Sequence, residues 1–300
     1  MKRRDFLKQT TAAGVAALAT RSAPAILGAR DKSGGKNPII GQGNYRYECI
    51  HNWGELPRHI RWETTHGVTL DEDGFIYIKH QGLGGAAMDT IVVFDPKGKY
   101  VRSFGKGYYP GGHGIDIRKE GGEQFLYLCD IFHRQVIKTN LKGEEVWKLC
   151  YPIEAGDKPG LMKTPHGIWL DDRPGREPSL VVADRANARL QYFTLDGRHI
   201  GFVNDLLFPA HFDIRGDVLL VPDLHARVSL FGRDNKPIVH LGDDAAWIAE
   251  VKKLQVRNDR KRWPAGKFVH PHDACFDRDG NIYVVEWVQT GRLSLLRHVG

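Results

Sequence analysis

From residue 45 onward, apolar residues come in runs of three to five, bounded by Gly, Asp, Asn and Pro, and helical spacing is nearly missing before residue 243. One unit recurs. His66-Gly67-Val68-Thr69-Leu70-Asp71 leads through Asp73-Gly74 to Ile76-Tyr77-Ile78, then Ile91-Val92-Val93-Phe94, a turn at Asp95-Pro96-Lys97-Gly98, and Tyr100-Val101-Arg102-Ser103-Phe104. Further copies open at His113-Gly114-Ile115-Asp116, His166-Gly167-Ile168-Trp169, His211-Phe212-Asp213-Ile214 and His272-Asp273-Ala274-Cys275. Short apolar runs separated by such turns predict strands joined by hairpins. Repeats of about 40 residues with four strands each predict an all-β fold, a β-propeller of four-stranded blades.

Five blades are counted. A sixth would have to come from residues 243–263, and nothing there reads as a blade. That stretch instead opens on an Asp cap at Asp243 and spaces Ile248, Val251 and Leu254 for one helical face, which predicts an amphipathic helical insertion. The fifth copy supplies three strands before the chain ends, and residues 45–53 read as its missing outer strand. The N-terminal strand is therefore expected to close the ring. The expected domain is a single propeller over residues 44–300, preceded by a linker at 30–43.

In a propeller, the first strand of each blade lines the channel, so a residue that opens that strand recurs around one rim. Here it is histidine in every copy: His66, His113, His166, His211 and His272. Buried imidazoles converging on an axis would repel when charged and lack partners when neutral, whereas a divalent ion resolves both problems. Five cannot all coordinate at roughly 2.0–2.1 Å, so three ligands and two bystanders are expected. A second recurrence, Asp130, Asp184, Asp223 and Glu286, follows the second strand, with Lys79 read at that position in the first blade. Those acids would either bond the backbone of the next turn or orient the imidazoles.

The composition, 41% apolar and 26% charged over 300 residues, fits a globular chain and excludes disorder. No run of about 18 apolar residues is present, so no membrane span is expected once the N-terminal segment is removed. The formal charge is +7, but the first 29 residues hold five basic side chains against Asp5, a surplus of four. The remaining +3 does not argue for nucleic acid. Lys2-Arg3-Arg4-Asp5-Phe6-Leu7-Lys8, a short Ala-rich stretch and small-residue cleavage sites up to Ala29 resemble a twin-arginine signal peptide over residues 1–29. That resemblance implies export to the periplasm or the extracellular space after folding in a reducing cytoplasm, so the four cysteines need not pair. Cys129 and Cys275 read as buried small hydrophobes.

Pro165-His166-Gly167, Ala183-Asp184-Arg185-Ala186-Asn187-Ala188-Arg189, Pro271-His272-Asp273 and His113-Gly114-Ile115 resemble NHL-repeat propellers, and among them the peptidyl-α-hydroxyglycine α-amidating lyases. The resemblance implies zinc, or another divalent transition metal, on His113, His166 and His272. It also implies a structural calcium at Asp273 and a substrate-facing Arg185. The chain departs from that pattern in three places. Gln81 follows His80 where the family has its catalytic arginine, His270 stands where it has a methionine, and no blade carrying its catalytic tyrosine is recognisable. Tyr109, just before His113, is the candidate to replace the tyrosine.

The expected function is thus an exported, metal-dependent carbon–nitrogen lyase, a monomer acting on a small molecule or peptide that bears a carboxylate. His66 and His211 would serve as acid–base or positioning groups, with Arg185 gripping the carboxylate. The alternative is a non-catalytic NHL-type module that binds peptide, glycan or protein and holds a structural metal. The Gly-rich stretch 80–88 lacks the strand-to-helix context of a phosphate loop and reads as a loop over the channel mouth.

Overall fold

The structure is a computed structural model that describes residues 37–300 except 83, 131, 134, 151–161, 163–164 and 195–197. The signal-like segment, residues 1–29, lies outside the described residues. Five antiparallel sheets form the blades of a β-propeller. Blade 1 spans Thr64–Leu70, Ile76–Gln81, Ile91–Phe94 and Tyr100–Phe104. Blades 2, 3 and 4 begin at Gly112–Glu120, Pro165–Asp171 and Asp213–Arg215. Blade 5 holds Pro271–Phe276, Ile282–Glu286 and Arg292–His298.

The N-terminal strand closes the ring as the repeat predicts. Tyr45–His51 runs antiparallel to Arg292–His298, with Cys49 opposite Leu296. Ile39–Gln42, expected in the linker, adds a further strand outside it, so blade 5 has five strands. Hairpins are set by one device. An Asp side chain accepts two backbone N–H groups across the turn, as Asp95 does from Lys97 and Lys99 and Asp277 from Asp279 and Asn281. The glycine in each of these two turns, Gly98 and Gly280, takes positive φ, where a Cβ would be strained.

Apolar faces of adjacent blades make the core. One cluster joins blades 1 and 5 through Val68, Ile78, Tyr283 and Val285, another joins blades 1 and 2 through Val93, Ile115 and Leu128, and a third joins blades 3 and 4 through Val181, Phe212 and Val221. Among the described residues no such cluster joins blades 2 and 3. There Ile168 is 57% exposed, and the Arg118 guanidinium lies 3.9 Å over the Trp169 ring instead.

The insertion differs in detail from its sequence reading. Asp244, not Asp243, caps the helix by accepting from Trp247 N, and the helix ends at Val251. Leu254 then takes φ +60° and is exposed, so it leaves the apolar face. Val256, Trp247 and Trp263 complete that face against Val269 and Val288.

Candidate metal centre

Cross-strand register decides which side chains meet on the axis. Thr65, Gly112, Pro165, Pro209 and Pro271 occupy one equivalent position, opposite His80, Asp130, Asp184, Asp223 and Glu286 respectively. The next residue is His66, His113, His166 and His272 in four blades, and Ala210 in blade 4. His211 comes one residue late. The pairing shifts register at each of the four histidines, and such bulges re-aim a side chain toward a site. A one-residue slip turns a side chain to the other face, which is why His211 does not join the ring. The same register puts His80, rather than Lys79, at the position of the acids in blade 1.

The four imidazoles pack ring to ring, with centroids 4.3–4.7 Å apart. His66 Nδ1 lies 3.1 Å from His272 Nε2, and His166 Nε2 lies 3.3 Å from His113 Nε2. The ligand atoms of His66, His113 and His272 all fall within 4.8 Å of one another and could hold a metal ion. This trio has His66 where the resemblance implies His166. Backbone carbonyls orient the rings: His272 Nδ1 donates to His66 O at 2.7 Å and His166 Nδ1 to Ala210 O at 2.7 Å. Each ring so held presents an Nε2 lone pair, the state a metal needs.

Among the described contacts, the acids following the second strands meet turns and arginines rather than the four rings. Asp223 accepts from Leu207 N and Arg227, Glu286 from Val269 N and Arg292, and Asp184 from Asn187, Arg189 and Gln191. They hold the turns and the arginines of their own blades.

Electrostatics agree with a neutral cluster. Burial, then the neighbouring histidines, drives His66 and His166 well below the usual imidazole value, and His272 likewise. His113 falls to about 3, through burial and then the charge of Arg185. Arg185 opens a 3-10 turn directly after Asp184, with its guanidinium carbon 5.1 Å over the Phe208 ring. Its Nε is buried and has no hydrogen-bond partner among the described residues. A second arginine that the sequence reading did not single out from its basic neighbours, Arg257 of the insertion, stacks 3.4 Å over Trp287.

The remaining expected site residues lie elsewhere. The Tyr109 hydroxyl donates to Gly84 O and accepts from Gly84 N, so it clamps the Gly-rich loop rather than facing the imidazoles. His211 Nδ1 sits 3.0 Å from Asp273 Oδ1. Asp273 also accepts from Val68 N and Ala274 N, so both of its oxygens are engaged. These two residues belong to the far end of the channel. His211 lines a cavity of about 280 Å³ there with Asp116, Asp213, Thr69, Trp169 and Cys275. Burial opposes the His211 charge, but Asp273 and then Asp116 and Asp213 more than offset it and raise its pKa. Burial lifts Asp213 to about 7. Cys49, Cys129 and Cys275 are free thiols, and Cys129 is exposed rather than buried.

No family model matches the sequence. Among solved structures the chain is similar to glutaminyl cyclase from Myxococcus xanthus, at 13% identity over 84% of this chain and 98% of that one, with a TM-score of 0.43. It is also similar to virginiamycin B lyase from Staphylococcus aureus, at 12% identity over 84% and 74%, TM-score 0.35. A member of the DUF4221 family from Bacteroides vulgatus shares 11% identity over 88% and 98%, TM-score 0.46. Similarity at this level concerns architecture and carries nothing about chemistry.

Proposed function

We propose that this propeller is an exported, metal-dependent carbon–nitrogen lyase, similar to the peptidyl-α-hydroxyglycine amidating lyases, acting on a carboxylate-bearing substrate. The observation that carries the reading is the nitrogen spacing on the axis. Ligands at roughly 2.0–2.1 Å around a tetrahedral zinc lie roughly 3.3 Å apart. Between the proposed ligands, His66–His272 at 3.1 Å has that spacing, and the His113 ligand atom falls within 4.8 Å of both. Neutral imidazoles, His272 among them oriented by a backbone carbonyl, suit zinc or a neighbouring divalent transition metal.

In this reading His66, His113 and His272 would hold the ion, and His166 offers its bare Nε2 beside them as the proton-accepting group. A bound ion of this kind supplies Lewis acidity to a hydroxyl. The protein's own part is to place the substrate. Arg185 pairs with the carboxylate and the buried rim excludes water. Cleavage of an α-hydroxyglycine peptide breaks the C–N bond, forms the aldehyde carbonyl of glyoxylate and moves the hydroxyl proton to the amide nitrogen. His166, neutral and held by Ala210 O, is suited to relay that proton. His211 and Tyr109 are left out of the chemistry, since both are committed to other contacts.

The test has two stages. Purified mature protein should contain about one transition-metal ion per chain, lost in His113→Ala and His272→Ala. Metal-loaded protein incubated with an α-hydroxyglycine peptide should then release glyoxylate. Stoichiometric metal without glyoxylate would leave the non-catalytic binding module; metal-free protein would remove both readings.

A further inference from the structure

Among the described residues, three arginines close to the channel rim are paired with acids of their own blade. Arg189 contacts Asp184, Arg227 contacts Asp223 and Arg292 contacts Glu286. Arg185 and Arg257 break this rule. Each has a buried Nε with no hydrogen-bond partner among the described residues, and each guanidinium lies on an aromatic ring, Phe208 or Trp287. Stacking fixes the plane of a guanidinium and leaves its N–H edge free for a planar anion.

Both arginines are placed by the elements that place the imidazoles. Arg185 follows Asp184, the strand partner of Pro165 beside His166. Trp287, which carries Arg257, follows Glu286, and its N–H donates to His270 O, two residues before His272. Arg185 therefore approaches the cluster from blade 3, and Arg257 approaches from the blade 5 side on the insertion. Between them, in the rim turn of blade 4, His225 stacks on Phe208 at 5.0 Å and has a buried Nδ1 without a partner among the described residues. His270 Nδ1 donates to Leu224 O, which leaves its buried Nε2 bare. Buried polar atoms without partners are rare in proteins, and four on one arc call for a ligand that completes them. Burial also holds Arg257 down at about 10, the cost of a cation without a counter-ion.

We propose that Arg257 is a second anion-recognition arm and that the site takes a ligand with two carboxylate-type groups, one on Arg185 and one on Arg257. The proposal deepens the lyase reading and rests on it for the role of Arg185. The insertion, which interrupts the blade repeat, thereby acquires a function: it delivers a cation that no blade supplies.

Titration calorimetry of the metal-loaded full chain with succinate and glutarate, against propionate, tests it. A dicarboxylate should bind about tenfold tighter than propionate. Arg257→Gln should bring the dicarboxylate down to the propionate level, with metal content and thermal midpoint retained. Arg257→Lys should keep part of the preference. Arg185→Gln should weaken both ligands. No dicarboxylate preference in the parent protein, or a preference that survives Arg257→Gln, overturns the second arm. If instead both arginine variants act as stated while the metal-loaded protein releases no glyoxylate from an α-hydroxyglycine peptide, the second arm stands and the lyase reading falls.

Discussion

The two ends of the channel use the same residue type in opposite ways. At one end four imidazoles face one another, and burial keeps them neutral, aided by repulsion from neighbouring rings at His66, His166 and His272 and by the charge of Arg185 at His113. At the other end a single imidazole, His211, sits against Asp273 with Asp116 and Asp213 nearby, and its charge is favoured. One residue of register separates the two environments, Ala210 holding the place where the ring would have had its fifth histidine. The lesson is that a histidine's chemistry here is set by its neighbours' charge, and its neighbours by strand register.

The largest effect should come from the ion. Chelation should destabilise the parent by about 4 kcal/mol if the site is saturated some 1,000-fold, read as a fall in thermal midpoint. His211→Ala should keep that chelator response, whereas His272→Ala should abolish it. Equal loss in both variants would erase the distinction between the ends.

Next, counted per proton and per pH unit, is the response to pH in chelated protein. At the imidazole end the folded pKa values lie below the unfolded value, so the unfolded chain takes up protons first. Stability should therefore fall as pH drops from about 6.5 toward 3, by about 1.4 kcal/mol per pH unit for each proton withheld. The far end has the opposite sign. Asp213 is raised to about 7, so its unfolded form gives up a proton that the folded form keeps, and stability should fall as pH rises from about 4 to 7. His211, also raised, adds stability that is lost as pH climbs through its folded value. Denaturant titrations of Asp213→Asn across pH 5 to 8 should show a flatter profile than the parent. An unchanged slope would mean that Asp213 is ionised in the fold.

The smallest effect concerns the glycines between the ends. A Cβ at Gly167 would lie 2.6 Å from Ala210 O and 2.7 Å from His211 Cα, while at Gly114 the nearest atom is Cys129 Sγ at 3.6 Å. Gly167→Ala should cost about 1–3 kcal/mol and Gly114→Ala less than about 0.5 kcal/mol, by chemical denaturation. Similar costs at both would show that inner-strand spacing is not what keeps the two ends apart.

Much of this molecule could be read along the chain. The turns and the apolar runs recur in every copy, and that local chemistry named the strands, the blades and the closing partner of the last blade. Ile39–Gln42 escaped notice because its pairing with Tyr45–His51 depends on a neighbour, and its own pattern is short. His113, His166 and His272 could be placed on the axis from their repeated context. His211 misled because Pro209-Ala210-His211 resembles the other copies in composition while differing by one position, and only hydrogen-bond register distinguishes the two. Arg257 lay hidden among five other basic residues of 252–262, since nothing local shows that it alone stacks on Trp287.

What the amino-acid order determined by itself is the architecture, because strand period and turn chemistry are local properties repeated five times. What only the tertiary structure decided is which polar groups meet and which are left without partners among the described residues: four neutral imidazoles together on the axis, and two stacked arginines with the His225 and His270 nitrogens beside them. That outcome depends on burial, on ring-to-ring distance and on which carbonyl each Nδ1 meets. Those are relations between blades that lie about 50 or more residues apart, and free energy depends on the distances through space.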